Sequence, residues 1–259
     1  MGKVYLVGAG PGAVDLITVR GAALLARADI VFHDALVAPE TLALAAKAKL
    51  VAVGKRCSRI STDQRFINRN LVEAAAKYGV VVRLKGGDPM LFGRAQEEID
   101  ALAAAGIEFE IVPGVTAALA GSAEIGVSLT RRGVSRSVVF ATPRVGEGEE
   151  TADWAPAVAN GDTAVLYMAA GQAVAIAAVL EAHGMSPSTP VVIVENASLS
   201  GVRRIGSTLR GLREGVADGL AGPALLLLGD VLRAQAHLLV SQASLAAGHA
   251  DGPLPRREA

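Results

Sequence analysis

The chain has 259 residues, 51% of them apolar, and its 25 basic and 25 acidic side chains leave no formal net charge. That length suits one large domain or two ordinary ones, and no apolar run approaches the roughly 20 residues needed to span a bilayer. A single cysteine, Cys57, excludes an internal disulfide, and His33, His183, His237 and His249 lack ligand spacing, so no metal site is expected.

Lys3 to Val7 reads as a first strand, short and β-branched. It starts almost at Met1, which leaves no room for a signal peptide and makes the cytoplasm the expected compartment. Gly8-Ala9-Gly10-Pro11-Gly12 follows, and a helical pattern runs from about Asp15 to Arg27. Read literally, Gly8, Gly10 and Ala13 satisfy a dinucleotide fingerprint, with Asp34 after the next strand, Ile30 to Phe32, as the ribose-binding acid. An NAD(P)-dependent oxidoreductase is therefore one reading. Pro11 argues against it, because it removes an N–H donor from the loop that would cradle the pyrophosphate.

A helix near Pro39 to Ala46 and a strand at Leu50 to Val53 come next. The helix from Thr62 carries Ile67, Leu71, Ala74 and Ala75 at the spacing of a buried face. Val80 to Leu84 is a further strand, running into Lys85-Gly86-Gly87-Asp88-Pro89 and a helix over Ala95 to Ala105. Adjacent glycines at the end of a parallel strand let a ligand lie on the backbone, since no Cβ stands in the way, and strand ends are where open α/β sheets bind ligands. Asp88 adds a carboxylate beside exposed amides. The plainer reading is a tight turn whose glycines serve geometry alone.

Ile107 to Val112 gives a fifth strand, and Pro113 to Ala118 another strand-end turn, with Thr116 near the start of a helix of small residues. Strands alternating with helices imply parallel crossovers and a sheet covered on both faces. The second half has strands at Arg136 to Ala141, Thr163 to Met168, Val191 to Glu195 and Ala224 to Leu228, with a turn and short strand at Gly201 to Gly206. Helices are expected at Gln172 to His183 and Leu209 to Asp218, an acidic loop at Gly146 to Asp153, and a mixed sheet overall. The expected division is an N-terminal α/β domain over residues 1–117, a C-terminal one over 118–240 and a disordered tail over 241–259.

Charge is unevenly placed. Nine basic residues stand against three acidic ones between Val51 and Arg94. Such an excess is either a solvated helix face or the wall of a site for a polyanion. No aromatics are interleaved with it, so nucleic acid is a poor partner.

Gly10-Pro11-Gly12, Asp34-Ala35-Leu36-Val37, Gly54-Lys55-Arg56, Arg83 to Pro89, Phe92-Gly93-Arg94, Glu97-Glu98, Val112 to Thr116 and Tyr167-Met168 together resemble the tetrapyrrole (corrin/porphyrin) methylases, in order, over roughly residues 3 to 233. The resemblance implies a two-domain α/β fold, a parallel-sheet N-terminal and a mixed-sheet C-terminal domain, with the active site in the cleft between them. It implies S-adenosylmethionine as cofactor, on Pro11, Gly86, Gly87, Asp88, Thr116, Ala117 and Met168, and more loosely on Ala197 and Ala224. The implied reaction places two methyl groups on carbons 2 and 7 of uroporphyrinogen III to give precorrin-2, in sirohaem or cobalamin synthesis. No metal is called for, since the sulfonium is already activated and orientation is the main catalytic term. A homodimer without membrane attachment is the implied assembly.

Uroporphyrinogen carries eight carboxylates, which arginine binds bidentately. Arg94 and Arg132 are the expected anchors, with Arg131 and Lys55 as weaker ones. Glu97, one helical turn after Arg94, is the expected acid–base partner unless the two form a structural ion pair, and Asp34 is a further catalytic candidate. Where the family typically carries Gly-Arg-Gly-Gly-Glu-Glu, this chain has Gly93-Arg94-Ala95-Gln96-Glu97-Glu98. Arg131 and Arg144 replace histidines, and Val202 a common glutamine. These departures fall on the expected substrate side, so a later precorrin methyltransferase or a non-catalytic tetrapyrrole carrier are further readings.

Overall fold

A computed structural model describes residues 1–54, 64–145 and 153–250. The chain forms two compact units, Met1–Ala120 and Gly121–Ala259.

The first unit holds a parallel sheet of β1 (Lys3–Gly8), β2 (Ile30–His33), β3 (Lys49–Ala52), β4 (Val80–Lys85) and β5 (Phe109–Val112), in the order β3-β2-β4-β1-β5. Period-two alternation splits its side chains between two cores. Val4, Leu6, Ile30, Phe32 and Val81 pack with Leu71 and Leu102, supplied by α3 (Gln64–Ala75) and α4 (Ala95–Ala104). Tyr5, Val7, Val31, Val82 and Leu84 pack with Leu24 and Leu25 of α1 (Val19–Ala26), while α2 is the single turn Pro39–Leu42. Each fully buried leucine contributes about 1.5–3 kcal/mol. The helix expected from Asp15 starts later: Val14–Leu16 is one 3₁₀ turn, and Thr18 caps α1 by accepting from Gly21 N at 3.1 Å. A parallel sheet brings the ends of its strands to one edge. Gly8, Asp34, Gly86 and Pro113 all stand there.

The second unit opens with the end of α5 (Ala117–Glu124) and contains β6 (Val138–Ala141), β7 (Thr163–Leu166), β8 (Pro190–Glu195), β9 (Arg203–Thr208) and β10 (Ala224–Gly229). The sheet order is β6-β7-β10-β8-β9. β6 and β7 are parallel and the other pairs antiparallel, so the mixed sheet expected from sequence is present. Leu166, Val191, Ile193, Leu226 and Leu228 face α6 (Ala155–Asn160), α7 (Ala173–Ala182) and α8 (Leu209–Arg213). β9 is a full strand rather than a short one, paired with β8 from Arg203 to Thr208.

Sequence patterning missed α6 and α9 (Arg233–Ala250). α9 packs on β9 and β8, and a Cβ at Gly206 would stand 2.2 Å from the Ala236 carbonyl oxygen, so this glycine admits the helix. The residues from Ser241 to Ala250, expected to be a tail, continue that helix. Alanine, leucine and glutamine all favour it.

Candidate active site

The C-terminal ends of β1, β4 and β5 meet through contacts that only glycine permits. Gly87 N donates to the Gly10 carbonyl at 2.7 Å, and Gly10 N donates back to the Gly87 carbonyl at 3.2 Å. A Cβ on Gly114 would stand 2.2 Å from the Gly87 carbonyl oxygen and 2.8 Å from the Gly8 Cα. Asp88 lashes the loops together, one carboxylate oxygen accepting from Gly114 N and the other from Met90 N, each at 2.8 Å. Asp88 was expected to hold the cofactor directly. Each of its oxygens accepts one backbone hydrogen bond from the loops that form the cradle, Gly114 lying 26 positions away, and keeps further acceptor capacity.

Above this junction the backbone is open. Gly87 has a φ of 67°, and a Cβ there would find nothing nearer than the Thr116 Cα at 3.9 Å; at Gly86 the nearest atom is the Leu36 Cβ at 3.5 Å. Pro11, Thr116 and Ala117 are half-buried, and the Thr116 carbonyl accepts from Leu119 N and Ala120 N to begin α5. Leu36, Met90 and Leu119 are all more than half exposed. Of these, Leu36 stands beside the open backbone at Gly86, as apolar side chains commonly do in ligand sites. None of the three was singled out from the sequence, although Leu36 lies within the Asp34 to Val37 motif. The nucleotide reading loses its footing here, because the Gly10 amide is taken by Gly87 and Pro11 offers none.

Beneath the glycines lies a buried ionic network. Glu98 is fully buried and accepts from Arg83 Nε at 2.9 Å, from Lys85 Nζ at 3.0 and 3.1 Å, and from Gln64 Nε2 at 3.2 Å. Arg83 also donates to Asp34 Oδ1 at 2.5 Å, so one guanidinium joins the candidate Asp34 to the core. Burial opposes the Arg83 charge, but Asp34 and Glu98 more than offset it and its pKa rises. Burial pulls the Lys85 pKa down, Arg83 alongside lowers it further, and Glu98 opposes both. Arg83 and Lys85 thus leave the supposed basic wall: they neutralise Glu98 rather than meet a polyanion. Lys55 lies outside the described residues.

Phe92 and Arg94 both have left-handed backbone, φ 51° and 55°, on either side of Gly93. Such positions cost about 1–3 kcal/mol each and cluster at ligand clamps. The twist brings Arg94 onto Glu97, Nε to Oε1 at 2.7 Å and the second nitrogen to Oε2 at 2.9 Å. This bidentate pair, half-exposed on both sides, is the i,i+3 ion pair that the spacing allowed. Of the departures beside it, Ala95 packs in the core and Gln96 bonds to Asp100 at 2.7 Å on the surface.

In the second unit, Met168 follows β7 with a φ of 54° and is 46% exposed, so it is not core packing. Tyr167 meets Phe140 edge-on, with ring centroids 6.2 Å apart. Ala197 is flanked by Asn196 and Ser198, both left-handed. Glu195 holds this corner, one oxygen accepting from Ala221 N and Gly222 N, each at 2.6 Å, and the other from Arg203 at 3.0 Å. The Gly222 amide, then those of Ala221 and the Arg203 charge, keep the Glu195 carboxyl below its ordinary pKa against the opposing effect of burial. Ala224 pairs with Glu195 across the sheet. Because β7 and β8 both end where β10 begins, Met168, Ala197 and Ala224 share one edge.

Arg132 does not join them. It lies in the turn Thr130 to Arg136, at the other edge, where Ser135 Oγ meets Thr163 Oγ1 at 2.8 Å at the start of β7. The reason is topological: β6 separates this turn from the edge that carries Met168.

Residues 3–212 match the sequence model of the Tetrapyrrole (Corrin/Porphyrin) Methylases. Siroheme synthase 1 of Klebsiella pneumoniae is 42% identical over 233 residues, which is 90% of this chain but 49% of that protein. The chain therefore spans about half the length of the siroheme synthases it matches. Uroporphyrinogen-III C-methyltransferase of Pseudomonas aeruginosa is 44% identical over 233 residues, 90% of this chain and 95% of the relative. The crystal structure of uroporphyrin-III C-methyl transferase from Thermus thermophilus complexed with S-adenyl homocysteine superimposes with a TM-score of 0.80 at 40% identity, covering 90% of this chain and all of that one. A match of this extent, running through the glycine loops at the end of β1 and β4, places the chain in the tetrapyrrole (corrin/porphyrin) methylases.

Proposed function

We propose that this chain is an S-adenosylmethionine-dependent C-methyltransferase that adds methyl groups at C2 and C7 of uroporphyrinogen III, giving precorrin-2. The observation that carries the reading is the open backbone over Gly86 and Gly87, where two glycines leave room for a ligand on a junction that is otherwise tightly packed. The identity to the Pseudomonas methyltransferase and the S-adenyl homocysteine held by the Thermus protein support the choice of methyl donor and macrocycle.

In this proposal the cofactor-binding residues are Pro11, Gly86, Gly87, Asp88, Thr116 and Ala117, together with Met168, Ala197 and Ala224. When bound, S-adenosylmethionine supplies a methyl group already activated on sulfur. The work left to the protein is to align a pyrrole carbon with it and to exclude water. Asp88 also acts through the loops, keeping Gly87 and Gly114 in register. Arg94, held by Glu97, presents a planar cation to a substrate carboxylate. Asp34, fixed by Arg83 and partly open to solvent, is the carboxylate proposed to take the proton released as the macrocycle rearranges. A homodimer in the cytoplasm completes the proposal; among the described residues no helix is long and apolar enough to cross a membrane.

The test is an anaerobic reaction with S-adenosylmethionine and uroporphyrinogen III, followed by product mass. Two added methyl groups are expected. No addition, with S-adenosylhomocysteine still bound, would overturn the substrate and point to another tetrapyrrole.

A further inference from the structure

Asn196, Ala197 and Ser198 form the corner where the chain leaves β8, and the backbone on either side of Ala197 is left-handed, with φ 56° at Asn196 and 65° at Ser198. Asparagine tolerates that region and serine does so less readily, so the corner holds strain that its neighbours must offset. Part of the support is local. Asn196 N donates to the Pro223 carbonyl at 2.9 Å, Leu199 N to the Asn196 carbonyl at 2.9 Å and Val202 N to the Leu199 carbonyl at 3.3 Å. The Asn196 side chain lies against Gly222, where a Cβ would stand 2.1 Å from its Oδ1.

Further support comes from a residue 74 positions earlier. Glu124 ends α5, and one of its carboxylate oxygens accepts from Ser198 N at 3.1 Å. The other accepts from the Arg204 guanidinium, whose Nε also donates to the Glu124 main-chain carbonyl at 2.8 Å. One arginine thus orients the carboxylate and satisfies a carbonyl at the end of the helix. Gly121, one turn earlier, lets this part of α5 lie close to the sheet: a Cβ there would meet Leu225 Cδ1 at 3.1 Å. Arg203 and Arg204 are consecutive in β9 and so project to opposite faces. Arg203 goes to Glu195 at 3.0 Å and Arg204 to Glu124, so the corner is gripped from both sides of the sheet.

We infer that Glu124 and Arg204 are positioning residues for the methyl donor. Neither touches a reacting atom. Glu124 sets the backbone around Ala197 by accepting from Ser198, and Arg204 acts by orienting Glu124. The inference rests on the reading that places the donor against Ala197. A corner already fixed in its strained form does not have to be ordered by the ligand, and that saving appears as affinity.

The experiment measures S-adenosylhomocysteine affinity by calorimetry and stability by urea denaturation on the full chain. Glu124→Ala should weaken binding roughly 10-fold, and Glu124→Gln, which keeps an acceptor for Ser198 N, roughly 3-fold. Arg204→Ala should weaken it roughly 3-fold, and the double change Glu124→Ala/Arg204→Ala no more than Glu124→Ala alone, because both act through one bond. The control is Arg213→Ala, which breaks an ion pair with Glu181 in the same unit and should leave affinity unchanged. Wild-type affinity in folded Glu124→Ala, or in both Glu124→Gln and Arg204→Ala should the alanine variant not fold, would overturn the inference. So would an equal loss in Arg213→Ala. Hydrogen exchange separates that failure from failure of the placement: S-adenosylhomocysteine should slow exchange over residues 196–199 of the wild type more than over α7. Protection there with wild-type affinity in Glu124→Ala would sink the positioning role alone. No protection would remove the donor from Ala197, and the inference with it.

Discussion

Replacing Gly87 with alanine separates what the loop needs for folding from what it needs for a ligand. The backbone at Gly87 has φ 67°, a region that costs an L-residue roughly 1–2 kcal/mol. The new methyl meets no atom nearer than 3.9 Å, so no clash adds to that cost. Stability should therefore fall by about 1–2 kcal/mol, leaving a folded protein. The same methyl projects into the space assigned to the cofactor, where one carbon too many costs about 1–3 kcal/mol, or roughly 5- to 150-fold in Kd. Gly114→Ala should behave oppositely. Its Cβ would stand 2.2 Å from the Gly87 carbonyl oxygen, so the loops must part and stability is lost before binding can be measured. Urea denaturation and calorimetry with S-adenosylhomocysteine read the two quantities independently. Wild-type affinity in folded Gly87→Ala would refute the placement of the cofactor on this loop, and Gly87→Arg, which fills the space outright, would confirm the refutation if it too still bound.

Glu98→Gln strips the only carboxylate that Lys85 meets among the described ion pairs and leaves it a buried cation beside Arg83, which keeps Asp34. A loss of about 3–5 kcal/mol in urea denaturation is expected, and a loss under 1 kcal/mol would mean that the network is wetter than it looks. Glu195 has a folded pKa below its ordinary 4.5, so its stabilising contribution is complete above that value and fades as pH falls through the folded one. The stability gap between the wild type and Glu195→Gln, on the order of 2 kcal/mol, should stay constant from pH 8 to about 5 and close in more acid solution. A gap that widens towards acid would contradict the sign. For Arg94 and Glu97, half-exposed, a double-mutant cycle should give a coupling below about 1 kcal/mol in stability, while Arg94→Ala alone weakens uroporphyrin III binding and flattens its salt dependence. Unchanged binding would move the substrate away from this helix.

The division between local and long-range information runs through individual residues. β-branched runs such as Val80 to Val82 and the glycines after Leu84 are local signals, and they located the parallel strands of the first unit and the loop at their ends. Arg83 and Lys85 carried a misleading one. In a strand that alternates, two cations beside a glycine loop look like a binding wall, and only packing reveals Glu98, 15 and 13 positions on, filling the space between them. That Asp88 also ties down Gly114 was not legible, because this backbone partner belongs to another strand end. Helix α9 has no sharp apolar stripe, and its place was set by a gap at Gly206 in β9. Arg132 and Met168 read alike as site residues, yet strand direction put them on opposite edges of one sheet. Periodicity and turn chemistry act over a few residues and so are written in the chain. Charge compensation, loop-to-loop contact and the edge a residue occupies depend on which segments meet, and only the folded chain decides that.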